Sequence, residues 1–281
     1  MVERDKGIVY LFSGVGFAER IVVSIHSLRR HYAGPIAVMA TDDDCEGVVR
    51  RLSPLAVECI RVDKAAYRRN AAYATKPRLP VSSPFERSLF IDGDTIIVND
   101  PSPLVDELTG QVELVITNFG GWHSQGGRMS KRIKAWRGLS PGIDGLVADQ
   151  LSRQWPAINT GVFAWRKGWQ YARIWTGVTE TGSPRHMADE LAMQLCQSLM
   201  ETESFRVVDD RWNCSPIYGE HREEAVVWHF HGNKHLRKDV GRALWIPAFE
   251  AARAENVAGL AEWAGQYDRT VRDYLKGKVP A

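Results

Sequence analysis

Ser88-Leu89-Phe90-Ile91-Asp92-Gly93-Asp94-Thr95-Ile96-Ile97-Val98 is a pair of apolar runs divided by two carboxylates. The runs Ser88 to Ile91 and Thr95 to Val98 have the composition of a buried strand. Burying Asp92 and Asp94 unpaired within such a strand is very costly. The acidic pair therefore reads either as an Asp-Gly turn with hydrogen-bonded carboxylates or as a strand end that holds a cation. A turn between exposed hairpin strands would not be flanked by Leu-Phe-Ile and Ile-Ile-Val, which favours the cation. Two hard oxygen ligands around one glycine suit Mn²⁺ or Mg²⁺ carrying a diphosphate.

Upstream, Gly7 to Ser13 reads as a buried strand that ends at Gly14 and Gly16. Ile21, Val22, Ile25, Leu28 and Tyr32 recur at helical spacing, with Arg29, Arg30 and His31 in the last turn and Gly34-Pro35 as the stop. Ile36 to Ala40 is a second strand, a helix follows from about Glu46, and Val57 to Val62 is a third strand. Strands alternating with helices predict an α/β fold on a mostly parallel sheet. Ligands of such sheets bind outside the carboxyl ends of the strands, so the loops Ser13 to Phe17, Thr41 to Asp44 and Asp92 to Asp94 are expected to share one crevice.

Downstream come a strand over Val112 to Thr117 and a glycine-rich stretch from Asn118 to Gly145 with Trp122, His123 and Trp136. So long an irregular stretch is expected to be a functional loop, with Trp122 as the one ligand-stacking candidate among the tryptophans. Asn159 to Trp165 reads as a strand, Met187 to Leu199 as an amphipathic helix, and Ala225 to Phe230 as a last strand. His229-Phe230-His231-Gly232-Asn233-Lys234-His235 follows from it. An imidazole here can complete a metal sphere begun by carboxylates, Gly232 lets backbone approach a phosphate, and Lys234 is a point charge for a diphosphate. The alternatives are a surface loop with incidental histidines, or a zinc site that the lack of nearby cysteines disfavours. After Gly241 the chain is mostly helical, which divides it into 1–240 and a helical extension over 241–281 packed on it.

The 281 residues are 44% hydrophobic and 25% charged, the composition of a folded globular protein rather than a disordered one. A net charge of 36 − 34 = +2 is too small to imply a nucleic-acid partner. Cys45, Cys59, Cys196 and Cys214 form no CxxC pair, which argues against a disulfide framework and suits a reducing cytoplasm. No apolar stretch reaches the ~18 residues of a membrane span, so neither a signal peptide nor a transmembrane helix is expected. The C-terminal aromatic and basic residues Trp245, Trp263, Tyr267, Arg269, Arg272, Tyr274, Lys276 and Lys278 suggest a membrane surface. Asp268 and Asp273 dilute that signal and favour a solvated helical face instead.

Taken in order, these motifs resemble the GT-A-fold glycosyltransferases, most closely their family-eight type, from about Ile8 to His235. The family's base-binding strand end is similar to Phe12-Ser13-Gly14-Val15-Gly16-Phe17, which lacks the usual acidic residue. Its tyrosine-and-basic segment resembles Tyr73-Ala74-Thr75-Lys76, and its Asp-x-Asp motif resembles Leu89 to Asp94. Its Asn-x-Gly-Val strand is similar to Asn159-Thr160-Gly161-Val162, and its Asp-Gln helix start to Asp189-Glu190. The closing motif matches His229, Phe230 and Gly232, with Lys234 one residue early.

The resemblance implies a Rossmann-like mixed, mostly parallel sheet flanked by helices. It implies a nucleoside-diphosphate sugar donor, UDP-linked in most of the family. Phe12, Ser13, Gly14, Phe17, Lys76, Asp92, Gly93, Asn159, Gly232 and Lys234 would bind that donor, and Asp92, Asp94 and His229 would bind Mn²⁺ or Mg²⁺. The acceptor would be a carbohydrate, lipid-linked or other hydroxyl, and the anomeric configuration would be retained. Glu190 stands where the family has glutamine, so it or Asp189 would be the catalytic carboxylate, stabilising an oxocarbenium ion or forming a glycosyl intermediate. Read without the resemblance, Asp189 and Glu190 simply begin a helix. Two other classes remain: a nucleotide-sugar-binding protein without turnover, and a haloacid-dehalogenase-type phosphatase. The latter carries its Asp-x-Asp near the N-terminus, whereas here a whole β-loop-α unit precedes it.

Overall fold

The structure, a computed structural model, describes residues 4–64, 71–119, 126–182, 188–231, 236 and 238–278. Its strands are β1 (Arg4–Phe12), β2 (Ile36–Ala40), β3 (Val57–Arg61), β4 (Phe85–Ile91), β5 (Thr95–Ile97), β6 (Leu114–Asn118), β7 (Ile158–Arg166), β8 (Phe205–Val208) and β9 (Val227–His229). The first helices are α1 (Ala18–Arg29), α2 (Asp43–Arg50), α3 (Ala71–Thr75), α4 (Leu79–Ser82), α5 (Pro103–Asp106) and α6 (Gly126–Lys134). The remainder are α7 (Pro141–Arg153), α8 (Ala172–Gly182), α9 (Ala188–Cys196), α10 (Asp239–Ala254), α11 (Leu260–Trp263) and α12 (Arg269–Leu275). Among the described residues the strands form a seven-stranded sheet in the order β3-β2-β1-β4-β7-β6-β8 and a two-stranded sheet of β5 and β9. The class is α/β with a mixed, mostly parallel sheet, as the sequence predicts. The chain divides into two compact units, one of Gly7–Val62, Phe90–Pro103 and Arg211–Ala281, the other of Met1–Lys6, Asp63–Leu89 and Leu104–Asp210.

In the first unit β2 pairs in parallel with β1, from Ile8↔Ile36 to Phe12↔Ala40, and with β3 on its other edge. All five residues of β2 are buried, as in a parallel strand covered on both faces. Helix α2 begins at Asp43 rather than near Glu46, because the Asp42 carboxylate accepts the Cys45 N–H at 2.9 Å and the next two acidic residues meet the positive helix end. The acidic run thus starts a helix instead of forming a loop. The two-stranded sheet is antiparallel, with Thr95 opposite His229, Ile96 opposite Trp228 and Ile97 opposite Val227.

Helix α1 is buried almost all round, and its charged residues Glu19 and Arg20 meet the C-terminal chain. The Glu19 carboxylate accepts the N–H groups of Gly265, Tyr267 and Asp268, and Arg20 donates to Asp268. Asp268 also caps α12 through the Thr270 N–H. Trp245 and Trp263 are buried, so these two aromatic residues of the stretch pack into the protein. Removing one partner of a buried ion pair costs about 3–5 kcal/mol, so Asp268→Ala should lower unfolding stability by that amount in urea titrations.

In the second unit β6 pairs antiparallel with β7, across a register shift between Ile116 and Thr117, and parallel with β8. β8 is four residues long and gives no clear alternation in sequence. The stretch from Asn118 to Gly145 departs from expectation, since α6 and the start of α7 lie within it. Its glycines and lysines mask a buried stripe of Ile133, Trp136, Ile143 and Val147 at helical spacing. Ser140 caps α7 by accepting the Ile143 N–H, with Pro141 at the first position. Trp165, Trp169 and Trp175 cluster with Phe163 in the core, at centroid separations of 5.2 to 6.1 Å, and so present no sugar-stacking faces. Trp122 and His123 lie outside the described residues.

Candidate functional site

The three candidate metal ligands meet where β4 gives way to β5. Asp92 and Asp94 sit on that connection, and the pairing of β5 with β9 brings His229 to them. His229 Nε2 lies 3.3 Å from Asp94 Oδ1 and 3.7 Å from Asp92 Oδ2, and one ligand atom of each residue falls within 4.8 Å of the others. The connection is fixed by hydroxyls: Tyr10 OH meets Ser24 Oγ at 3.2 Å, and Ser24 meets Thr95 Oγ1 at 2.7 Å. Thr95 in turn donates to the Asp92 carbonyl at 2.8 Å, and Phe230 N–H donates to the Asp94 carbonyl at 3.0 Å. Gly93 sits close to α1: a Cβ there would come within 3.3 Å of the Ile21 Cβ, a tight contact that Ile21 would have to yield to.

The other His229 nitrogen tests whether a cation fits. Nδ1 lies 2.8 Å from Asn213 Oδ1, which can only accept, so Nδ1 donates to it and Nε2 is the nitrogen that faces the two carboxylates. With a neutral imidazole, these are three electron-pair donors converging on one partly buried place, the arrangement that a divalent cation would join. Two carboxylates and one imidazole suit Mn²⁺ well and Mg²⁺ acceptably, and the absence of thiolate disfavours structural zinc. The donor set fits a divalent metal. His231, with φ of 47°, stacks on His229 at 4.0 Å between ring centroids and is not one of the three grouped ligands. Gly232, Lys234 and His235 lie outside the described residues.

Sequence reasoning missed Asn213. A bridge pairing Cys214 with Trp228 sets it beside β9, a contact that no local motif announces. Partners that orient a metal-bound histidine typically change affinity by about 10–100-fold. Asn213→Leu should weaken Mn²⁺ binding by that factor in calorimetric titration.

In the same unit the loop after β1 carries the base-binding candidates. The Phe12 ring is in the core, and its carbonyl accepts the Thr41 N–H at 3.1 Å. Ser13 Oγ is buried with no hydrogen-bond partner among the described residues. Gly14 has φ of 96°, a left-handed conformation that glycine adopts freely. Phe17 is half exposed, with the Arg20 guanidinium 5.3 Å from its ring centroid.

The remaining candidates meet in the second unit as a buried network. Asp189 and Glu190 stand in the first turn of α9, each only 2% exposed, so they are not the solvated acidic residues of an ordinary helix start. The Asp189 carboxylate accepts the Thr160 hydroxyl at 3.0 Å and lies 3.2 Å from the Lys76 ammonium, while its carbonyl accepts the Trp175 indole N–H. Lys76 also donates to the Thr160 carbonyl. Glu190 Oε1 accepts from Arg132 and Oε2 from Asn159 Nδ2, both at 2.7 Å. The Asn159 oxygen accepts the Gly161 N–H, which fixes its amide and accounts for the Asn-x-Gly spacing. Burial pushes the Glu190 carboxyl above its ordinary range; Arg132 and Lys76 oppose the rise and Asp189 adds to it. Arg132, on α6, was not legible in sequence because its helix reads as part of an irregular stretch.

No protein-family model matches the chain, and no curated protein matches it in sequence. Solved structures do match it. The bifunctional glycosyltransferase WbbM superposes with a TM-score of 0.59 at 12% identity over 89% of this chain, which spans 50% of the WbbM chain. Mouse xyloside xylosyltransferase 1 gives a TM-score of 0.55 at 12% identity, covering 82% of this chain and 99% of that one. The galactosyltransferase LgtC, solved with donor and acceptor sugar analogs, gives 0.58 at 15% identity over 90% of this chain and 95% of that one. At such identities the likeness is one of fold, and it is the fold that the order of motifs implies: the chain has the GT-A architecture of these glycosyltransferases.

Proposed function

We propose that the protein is a metal-dependent glycosyltransferase that moves a sugar from a nucleoside-diphosphate donor to a hydroxyl acceptor with retention of configuration. The observation that carries this reading is the convergence of Asp92, Asp94 and His229 within 4.8 Å at the end of β4. Its donor chemistry fits Mn²⁺ or Mg²⁺. Such a cation would supply Lewis-acid neutralisation of the charge that gathers on a departing diphosphate.

The residues of the chain then divide the work. Asp92, Asp94 and His229 hold the cation. In the family pattern Gly232 and Lys234 approach the phosphates, and Lys234 offsets their charge. Ser13, Gly14 and Phe17 line the carboxyl end of β1, where the buried Ser13 hydroxyl offers a hydrogen bond to the base or ribose. A uridine base is the first choice, although no acidic residue stands in that loop. Asn159 and Lys76 orient Glu190 and Asp189. Glu190 acts as an electrostatic stabiliser of the oxocarbenium ion rather than as a nucleophile, since both its oxygens already accept charge-bearing or amide donors. We retain residues 1–240 as the transferase domain and 241–281 as its helical extension.

Among the described residues no helix is long and apolar enough to cross a membrane. All four cysteines are free, which supports a reducing, cytoplasmic setting. The binding-only and phosphatase readings have no observation in their favour.

The test is incubation with UDP-, GDP-, ADP- and dTDP-sugars and Mn²⁺ over a mixture of saccharide and lipid-linked acceptors. Release of nucleoside diphosphate with transfer or hydrolysis of the sugar is expected for at least one donor. Donor binding without any release would leave a binding protein, and release of inorganic phosphate from simple phosphomonoesters would point to a phosphatase.

A further inference from the structure

The Glu190 carboxylate is sealed from solvent, yet its two oxygens are held by very different partners. Asn159 offers a neutral amide from β7. Arg132 offers a guanidinium from α6, and its side chain keeps 27% of its exposure while that of Glu190 keeps 3%. The other charges facing Glu190 are Asp189 on its own helix, which is like in sign, and Lys76 from the turn after α3. Lys76 is already engaged by Asp189 and the Thr160 carbonyl. Arg132 is thus the one cation in direct contact with Glu190 among the described residues.

We propose that Arg132 is a positioning residue for sugar transfer, holding the Glu190 carboxylate ionised and in a single orientation through their hydrogen-bonded ion pair. This rests on the role given to Glu190 above. Without Arg132 the carboxylate keeps one amide donor, sits beside Asp189 in a low-dielectric setting and takes up a proton instead of remaining charged. A protonated Glu190 offers no negative charge to a developing oxocarbenium ion. Burial already raises the affinity of this carboxyl for protons, and Arg132 is the largest influence against it. The helix carrying Arg132 therefore tunes a group it does not itself contain, and a segment that reads as a glycine-rich loop becomes part of the catalytic apparatus.

The experiment combines a measurement that needs no substrate with one that does. Protein labelled with ¹³C at the glutamate carboxyls is titrated by NMR, the Glu190 signal being assigned by its loss in Glu190→Gln. In Arg132→Met the proton affinity of Glu190 should rise about tenfold or more. In Arg132→Lys, which keeps the charge but loses the planar fork, the rise should be smaller. Turnover of Arg132→Met should fall about a hundredfold near neutral pH with donor affinity unchanged, then recover as rising pH ionises Glu190 again. Arg132→Lys should restore part of the rate, and it also serves if the methionine variant folds poorly. An unshifted Glu190 titration in a folded Arg132 variant overturns the proposal, as does a rate loss equal at every pH. If the wild-type protein transfers no sugar but the titration shifts, the reaction reading falls and the ion-pair role stands. If transfer proceeds and the titration does not shift, the Arg132 role alone falls.

Discussion

Asp94→Asn should abolish metal-dependent binding of nucleoside diphosphate while leaving the fold intact. Asp94 and Asp92 approach the same histidine nitrogen, so an amide at either position keeps the shape and removes one formal charge from the cation's ligands. Groups that only orient a ligand typically change metal affinity by about 10–100-fold, so losing a direct carboxylate should cost more than about a hundredfold. His229→Ala should cost less than Asp94→Asn, because neutral imidazole carries no formal charge. Thermal unfolding with and without Mn²⁺ separates binding from folding. The wild type should gain roughly 2.7 kcal/mol at a hundred times its dissociation constant, and the asparagine variant should gain almost nothing from the same metal. Without metal the asparagine variant should unfold no more readily than the wild type, since substituting one of two neighbouring carboxylates removes repulsion. An asparagine variant that binds Mn²⁺ as tightly as wild type would remove Asp94 from the site.

Glu190→Gln should lower turnover about a hundredfold and leave donor affinity nearly unchanged, since a charge that matters only as the oxocarbenium ion develops is felt in rate rather than ground-state binding. The amide oxygen can still accept from Arg132, although the new NH₂ then faces the Asn159 NH₂, so the variant should fold with a loss of stability that a denaturant titration separates from the loss of rate. Asp189 behaves differently. With Asp189→Ala, Lys76 is left buried beside a lost partner, and breaking such a pair costs about 3–5 kcal/mol. This is well above the ~0.3–1 kcal/mol of an exposed acidic residue in a first helical turn. Stability in denaturant should therefore single out Asp189, and rate should single out Glu190. A wild-type rate in Glu190→Gln would return that residue to a structural role, and a rate loss confined to a folded Asp189→Asn would move the catalytic carboxylate one position back.

Much of this arrangement was legible because its physics is local. The apolar runs on either side of Asp92 and Asp94 announce a strand end where charge must be compensated, and His229, at the end of another short apolar run, stands out as the candidate that joins them. The parallel pairing of β1 to β3 follows from strands separated by helices. What stayed hidden depends on contacts distant in sequence. Asn213 is useful only because a bridge sets it beside β9, and Arg132 only because α6 reaches α9. The acidic run at Asp42 to Asp44 looked like a loop because a capping carboxylate and a loop aspartate share one composition. The segment around Trp136 looked irregular because its few buried residues are set among many glycines and basic residues.

The central claim is that Asp92, Asp94 and His229 hold a divalent cation that in turn holds a nucleoside diphosphate. Calorimetric titration of UDP into the wild-type protein, once with Mn²⁺ in excess and once in chelator, tests it most directly. Saturable one-to-one binding with Mn²⁺, weakened by more than about a hundredfold in chelator and equally in Asp94→Asn, is the expected result. UDP binding of the same strength in chelator and in Asp94→Asn would contradict it.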